Sequence, residues 1–106
     1  MAYIYDISFD IQADQMSEIK IGGSLERVLG YLRTLLPGEQ GYITSRALFS
    51  INEGSTRHII FLSEWQTWED LSRHKQSNLI EDKILNEFSP HIKWENLKTQ
   101  LFAEID

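Results

Sequence analysis

The chain has 106 residues, 42% of them hydrophobic and 25% charged, which is the balance of an ordinary globular domain. Its 16 acidic residues outnumber 10 basic ones and give a formal net charge of -6, so we expect no binding to nucleic acid. The absence of cysteine excludes disulfides, thiolate metal sites and cysteine nucleophiles. With no signal-peptide pattern and no apolar run near the roughly 20 residues that cross a bilayer, we expect a soluble, cytoplasmic protein with one domain, residues 1–106, and no membrane contact.

The first half of the chain predicts a strand followed by a helix. Apolar residues alternate with polar ones along the strand: Tyr3, Tyr5, Ile7, Phe9 and Ile11. After a connection containing Gly22 and Gly23, Ser24 is a candidate N-cap for a helix, which Pro37 and Gly38 end. The helix has an apolar stripe at helical spacing: Leu25, Val28, Leu29, Leu32, Leu35 and Leu36.

The second half predicts a hairpin, two helical pieces and a last strand. Residues 41–51 and 57–65 form the hairpin strands, which the turn Asn52 to Ser55 connects. Thr67 with Asp70 three residues later is typical of a capping box, so a helix should begin beside Trp68 and run to about Lys75. A second helical piece follows to a stop near Pro90, and the alternating segment 96–105 is the fourth strand.

This order, β-α-β-β-α-β, predicts an α+β fold of the ferredoxin-like, split βαβ type, with both helices on one face of a four-stranded antiparallel sheet. The other face is not uniformly polar, because residues 58–62 are apolar on both sides of their strand. Strand two places two apolar residues among its polar ones on this side: Tyr42, Thr44, Arg46 and Leu48. Since no element of the chain remains to cover this face, we expect a second copy to pack against it in a two-fold homodimer.

Residues 65–77, W-Q-T-W-E-D-L-S-R-H-K-Q-S, resemble a motif of the antibiotic biosynthesis monooxygenase (ABM) family. In that motif a Trp closes a strand, and the helix that follows carries an acidic residue, an apolar residue, a His and, three residues on, Ser or Thr. The resemblance implies a dimeric α/β barrel in which Trp65 and His74 border a cavity between the sheet and its helices. Family members and relatives include cofactor-free oxygenases of polycyclic phenols, haem-degrading enzymes and small proteins without known chemistry, so fold transfers better than function.

The resemblance argues against haem. Haem-degrading relatives use an Asn on strand one and a His on the later helix, whereas this chain has Asp6 and Ser8 in strand one and no His in residues 78–88. The three histidines, His58, His74 and His91, lack the spacing of zinc ligands, and no phosphate loop or dinucleotide fingerprint is present. We therefore expect no cofactor and no metal site.

Two functions are consistent with these residues. In the first, the chain is a cofactor-independent monooxygenase in which His74 acts as the base, because an imidazole of near-neutral pKa can deprotonate a phenol that then reduces oxygen. Its substrate would be a small aromatic or polyketide-like compound, and the candidate binding residues are Trp65, Trp68, Tyr5 and Arg46. In the second, these side chains serve packing, and the chain is a non-catalytic dimeric barrel that binds a small apolar ligand or acts as an interaction module.

Overall fold

The structure is a computed structural model that describes residues 1–12, 18–50, 56–88, 91–92, 95 and 97–105. The elements follow in this order: β1 (Tyr3–Gln12), α1 (Glu18–Leu35), a 3-10 turn (Leu36–Gly38), β2 (Tyr42–Phe49), β3 (Thr56–Trp65), α2 (Trp68–Ser77), α3 (Leu79–Phe88) and β4 (Lys98–Ala103). The turn expected at 52–55 and the stop expected at Pro90 lie outside the described residues. None of the described helices has the length and apolar character needed to span a membrane.

The described strands form one sheet in the order β2-β3-β1-β4, and every neighbouring pair is antiparallel. This is the ferredoxin-like α+β arrangement that the element order predicts, and the prediction is confirmed. The two edge strands, β2 and β4, are largely exposed, whereas the central strands β1 and β3 carry much of the core.

The core lies between one face of this sheet and the helices. Because side chains alternate along a strand, odd-numbered residues of β1 and β3 share that face, which we call the helix face. Its fully buried apolar members are Tyr5, Ile7, Phe9, Ile11, Ile59, Phe61 and Trp65. The helices cover it with a stripe of their own: Ile21, Leu25, Val28, Leu32, Leu71, Ile80 and Phe88. The opposite side of the sheet, which we call the open face, has no helix against it among the described residues.

Helix α1 begins earlier than predicted. It starts at Glu18, so Gly22 and Gly23 lie inside it and Ser24 is not its N-cap. The physical reason is Ile21, which is fully buried and extends the apolar stripe by one turn. Two glycines cost a helix roughly 1 kcal/mol each relative to alanine, and burial of an isoleucine side chain contributes about 1.5–3 kcal/mol. Ser24 instead lies buried within the helix, and its hydroxyl accepts a hydrogen bond from Arg27.

Strand β2 contains an irregularity that moves Tyr42 to the helix face. The register with β3 shifts between Tyr42 and Thr44, so that Tyr42 pairs with Trp65 rather than continuing the alternation of the open face. Its ring meets Trp65 edge-on with centroids 5.7 Å apart, and its hydroxyl lies 2.9 Å from that of Ser45. The assignment of Tyr42 to the polar side of the strand is therefore wrong, whereas Leu48 remains on the open face.

Helix α2 begins where the capping pattern predicts. The Thr67 hydroxyl accepts a hydrogen bond from the backbone N–H of Asp70 at 3.1 Å. The helix runs to Ser77, two residues further than expected, and ends at Asn78, whose φ of 55° is left-handed. Helix α3 then begins at once, at Leu79.

Candidate functional site

The site is built around the C-terminal end of β3. Trp65 closes this strand and pairs with Tyr3 on one side and Tyr42 on the other, so its indole is enclosed and fully buried. The indole N–H donates to the Ser63 hydroxyl at 2.9 Å, which satisfies its polar atom inside the core. Helix α2 begins only three residues later, and its second turn brings His74 over the indole.

His74 is held between two aromatic rings and a carboxylate. Its imidazole stacks on Trp65 with centroids 4.5 Å apart and planes inclined by 25°, and it meets the ring of Tyr5 edge-on at 5.9 Å. Its Nδ1 lies 2.8 Å from Glu39 Oε2, and its side chain is only 1% exposed. In the tautomer in which Nδ1–H donates to this carboxylate, Nε2 keeps its lone pair and can act as a base.

Burial decides the charge of this histidine. Desolvation lowers the pKa of His74 below its ordinary value, while Glu39 and, more weakly, Glu81 oppose the shift. The lowered pKa makes the neutral imidazole the resting form near pH 7, which is the form that a general base requires.

Tyr5 supports His74 from β1 without lining the cleft, and its phenol does not act as a base. Its hydroxyl donates a hydrogen bond to Glu81 Oε1 on α3. Burial and the adjacent Glu81 carboxylate raise the pKa of Tyr5 far above its ordinary value, so the phenol stays protonated. Tyr5 therefore packs its ring against His74 and connects β1 to α3 through Glu81.

A cleft of about 380 Å³ opens beside His74. Its volume lies at the small end of the range of about 300–1,000 Å³ that is usual for ligand sites. It is lined by Glu39, Gln40, Trp65, Asp70, Arg73 and His74. Asp70 is nearly buried and accepts a hydrogen bond from Arg73 at 3.1 Å, so the mouth of the cleft is polar while its inner end is aromatic.

Gly41 allows one wall of the cleft to approach the other. Its φ of 84° lies in the left-handed region, and a Cβ at this position would overlap the Asp70 carboxylate. Its carbonyl accepts a hydrogen bond from the backbone N–H of Gln66 at 2.8 Å. Glycine is therefore required for the 39–41 segment to lie against the start of α2 and to bring Glu39 to His74.

The structure brings together three of the five residues selected from the sequence. Trp65, Tyr5 and His74 lie in one cluster on the helix face, whereas Trp68 and Arg46 do not join it. Trp68 is 47% exposed, meets Tyr3 edge-on at 6.3 Å and borders a separate groove of about 330 Å³. Arg46 is exposed on the open face, so the sheet lies between it and His74.

The sequence interpretation missed Glu39, Glu81 and Gly41. Glu39 reaches the site because Tyr42 begins β2 and pairs with Trp65, which places the residues before Tyr42 beside those after Trp65. That register could not be read from the alternation pattern, because the irregularity at the start of β2 disturbs it.

No cluster of three or more His, Cys, Asp or Glu side chains that could hold a metal occurs within the part of the chain that the structure describes. His58 lies on the open face, where its Nδ1 is 2.6 Å from Asp10 Oδ1.

Comparison with known proteins shows a relationship in fold. No family model matches the sequence, and no curated protein matches it significantly. A Bacillus cereus structure described as a proposed antibiotic biosynthesis monooxygenase matches with a TM-score of 0.69 and 15% identity, over 100% of this chain and 93% of the other. A dimeric Bacteroides fragilis protein of unknown function and ferredoxin-like fold also reaches a TM-score of 0.69, at 12% identity, over 97% of this chain and 96% of that one.

A third similar structure has a described chemistry. SnoaB from Streptomyces nogalater, a cofactor-independent oxygenase, matches with a TM-score of 0.63 and 7% identity, over 100% of this chain and 96% of the other. At such identities the similarity establishes the fold and leaves the site to be argued from this chain's own residues. The fold implied by the 65–77 motif is the fold of structures described as antibiotic biosynthesis monooxygenases.

Proposed function

We propose that the protein is a cofactor-independent monooxygenase that oxidises a small aromatic or polyketide-like compound, with His74 as the general base. The observation that carries the proposal is the 2.8 Å contact between His74 Nδ1 and Glu39 at the inner end of the cleft, which leaves Nε2 as the basic nitrogen. A protein of the same fold, SnoaB, is described as a cofactor-independent oxygenase, which supports chemistry of this class.

The proposed reaction needs only a base and molecular oxygen. His74 Nε2 removes a proton from an activated C–H or O–H of the substrate, and the resulting anion passes an electron to O₂ and combines with the reduced oxygen as a peroxide. The imidazolium protonates this peroxide to R₂CH–OOH, and His74 Nε2 then removes the second proton of the same carbon as the O–O bond breaks. The departing hydroxide takes up that proton as water, so that a methylene becomes a carbonyl: R₂CH₂ + O₂ → R₂C=O + H₂O. The Glu39 carboxylate stabilises the imidazolium that exists between these steps.

Oxygen consumption against a panel of hydroxylated polycyclic phenols tests this proposal. His74→Gln should reduce turnover at least tenfold, because the amide retains polar atoms near Glu39 but cannot take a proton at neutral pH. His91→Gln is the matched control, since His91 lies away from the cleft, and it should retain full activity. Equal activity of the two variants would overturn the assignment of His74.

The active species proposed here is a homodimer formed through the open face. Large apolar side chains remain exposed on this face, with Leu48 and Phe102 each 45% exposed. Ile60 and Leu62 lie between them on β3, and the buried Oδ1 of Asp6 has no hydrogen-bond partner among the described residues. A second copy would cover these groups, and the B. fragilis protein of the same fold is described as dimeric.

A non-catalytic binding or interaction module is the second candidate. It is favoured by the burial of His74 and Trp65, which leaves little of either ring open to a ligand. Under this candidate, His74→Gln lowers the melting temperature and no compound of the phenol panel stimulates oxygen uptake by the parent protein.

A further inference from the structure

We infer that Glu39 is a positioning residue that fixes the imidazole of His74 with its proton on Nδ1 and its basic lone pair on Nε2. This inference deepens the proposed function, and only its activity measurement rests on that function. Glu39 lines the cleft, and in this scheme it acts on the reaction through His74.

The first argument is that the ring neighbours of His74 have their polar atoms engaged elsewhere. The indole N–H of Trp65 donates to Ser63, and the hydroxyl of Tyr5 donates to Glu81. Stacking and edge contacts hold the plane of the imidazole but do not distinguish its two nitrogens. The carboxylate at 2.8 Å from Nδ1 makes that distinction, because a carboxylate accepts hydrogen bonds and cannot donate them.

The second argument is that the backbone carrying Glu39 is fixed on both sides. The N–H of Glu39 donates to the carbonyl of Leu36 at 2.9 Å and closes the 3-10 turn. Two residues later, the carbonyl of Gly41 accepts a hydrogen bond from the backbone N–H of Gln66, and Gly41 lies against the side chain of Asp70. A side chain delivered from such a segment loses little conformational freedom when it binds the ring, which suits it to hold one orientation.

The third argument separates the role of Glu39 from that of other charges around the ring. The titratable and charged groups that face His74 come from β1, α3, the 39–41 segment and α2 itself: Tyr5, Glu81, Glu39, Asp70 and Arg73. Glu81 raises the pKa of His74 through its charge, while its Oε1 accepts from Tyr5. Glu39 therefore combines charge with a direct bond to Nδ1, and Glu81 supplies charge alone.

This difference gives the experiment its control. Ring ¹⁵N shifts of histidine report the tautomer, and His74→Gln identifies the His74 signals among those of the three histidines. In the parent protein above the pKa of His74, we expect the Nδ1–H form. Glu39→Ala should convert it largely to the Nε2–H form that neutral histidine favours in water, Glu39→Gln should restore Nδ1–H through the amide oxygen, and Glu81→Gln should leave the tautomer unchanged.

The same samples yield a titration. Loss of either carboxylate should move the midpoint of His74 to lower pH, with the larger shift for Glu39→Ala, because Glu39 is the stronger of the two charges opposing burial. An Nε2–H form in the parent, or an unchanged tautomer in folded Glu39→Ala, would overturn the inference. Circular dichroism establishes that each variant is folded.

If the phenol panel reveals a substrate, Glu39→Ala should lower kcat at least tenfold with little change in KM, and Glu39→Gln should recover part of that loss. If the tautomers are as expected but neither the parent nor any variant shows turnover, the positioning role of Glu39 stands and the proposed oxygenase function is contradicted. Full turnover by Glu39→Ala would count against the positioning role alone.

Discussion

The two faces of the sheet come from the same strands but differ in how their groups are satisfied. On the helix face, Phe61 is buried by the chain's own helices, and the polar atoms of Trp65 and Tyr5 each have a partner. One residue further along β3, Leu62 points to the open face, where Asp6 lies opposite it and its buried Oδ1 has no hydrogen-bond partner within the described ranges. Around Trp65 and Tyr5 the chain covers the helix face with its own helices, whereas the open face leaves large apolar side chains exposed, which is the contrast on which the proposed dimer rests.

The largest effect should come from truncation on the helix face. Phe61→Ala should lower the free energy of unfolding by about 3–5 kcal/mol, because it leaves a cavity among fully buried neighbours. Denaturant unfolding followed by tryptophan fluorescence measures this loss. A change below about 1 kcal/mol would contradict the contrast between the two faces.

The second effect tests the open face. Leu62→Asp should weaken self-association at least tenfold, or about 1.4 kcal/mol, because it would bury an unpaired carboxylate in the proposed interface. Sedimentation velocity over a range of concentrations measures this. Ile19→Asp, which changes an apolar residue that is 88% exposed on α1, is the control and should leave association unchanged. If the parent protein is monomeric at micromolar concentration, the open face is not a dimer interface.

Much of the fold was predictable because it depends on local periodicity. Alternation along β1 and the Thr67 cap of α2 were read directly from residue order, and the structure has both. The start of α1 was not predictable from local signals, since two glycines argue against a helix and the burial of Ile21, which offsets their cost, is a contact of the folded chain. Residue propensities along the chain therefore do not predict a helix boundary that is set by tertiary packing.

The site was predictable only in part. Trp65 and His74 were found through one motif, but Trp68, a candidate binding residue from the same motif, does not join them. Six residues of helix correspond to roughly 600°, so Trp68 and His74 lie about 120° apart around α2 and face different surroundings. Glu39 is 35 residues away from His74 in the chain and meets it only through the pairing of β2 with β3.

A smaller loss of unfolding free energy should follow from removing the N-cap of α2, one of the helices that cover the helix face. Thr67→Ala removes the hydroxyl that accepts from the Asp70 N–H and should cost about 1 kcal/mol of unfolding free energy. Thr67→Ser retains an acceptor and should be nearly silent. Because α2 lies on the helix face, neither change should alter self-association. Equal losses from both variants would show that the hydroxyl does not cap this helix.

The smallest effect should come from one charge on the open face, the carboxylate of Asp6. Burial raises the pKa of Asp6, and the charge of His58 opposes this only in part. Folding raises the pKa of this carboxyl above its unfolded value of about 3.9, so the folded state favours the protonated form. Its contribution to stability is full below the unfolded pKa and is lost as the pH rises through the folded pKa, where the buried group must ionise. Asp6→Asn should therefore raise the melting temperature at pH 7, and its advantage should disappear near pH 3.

For Asp10, which lies on the same strand, we expect the opposite change in melting temperature. Asp10 lies 2.6 Å from His58 Nδ1, so Asp10→Asn loses a charge-assisted hydrogen bond and should lower the melting temperature at pH 7. Thermal unfolding of the parent and both variants at pH 3 and pH 7 measures the pair. If Asp6→Asn also destabilises at pH 7, the Asp6 carboxylate is satisfied in the assembled protein, and a partner copy that supplies a donor to it becomes the simplest explanation.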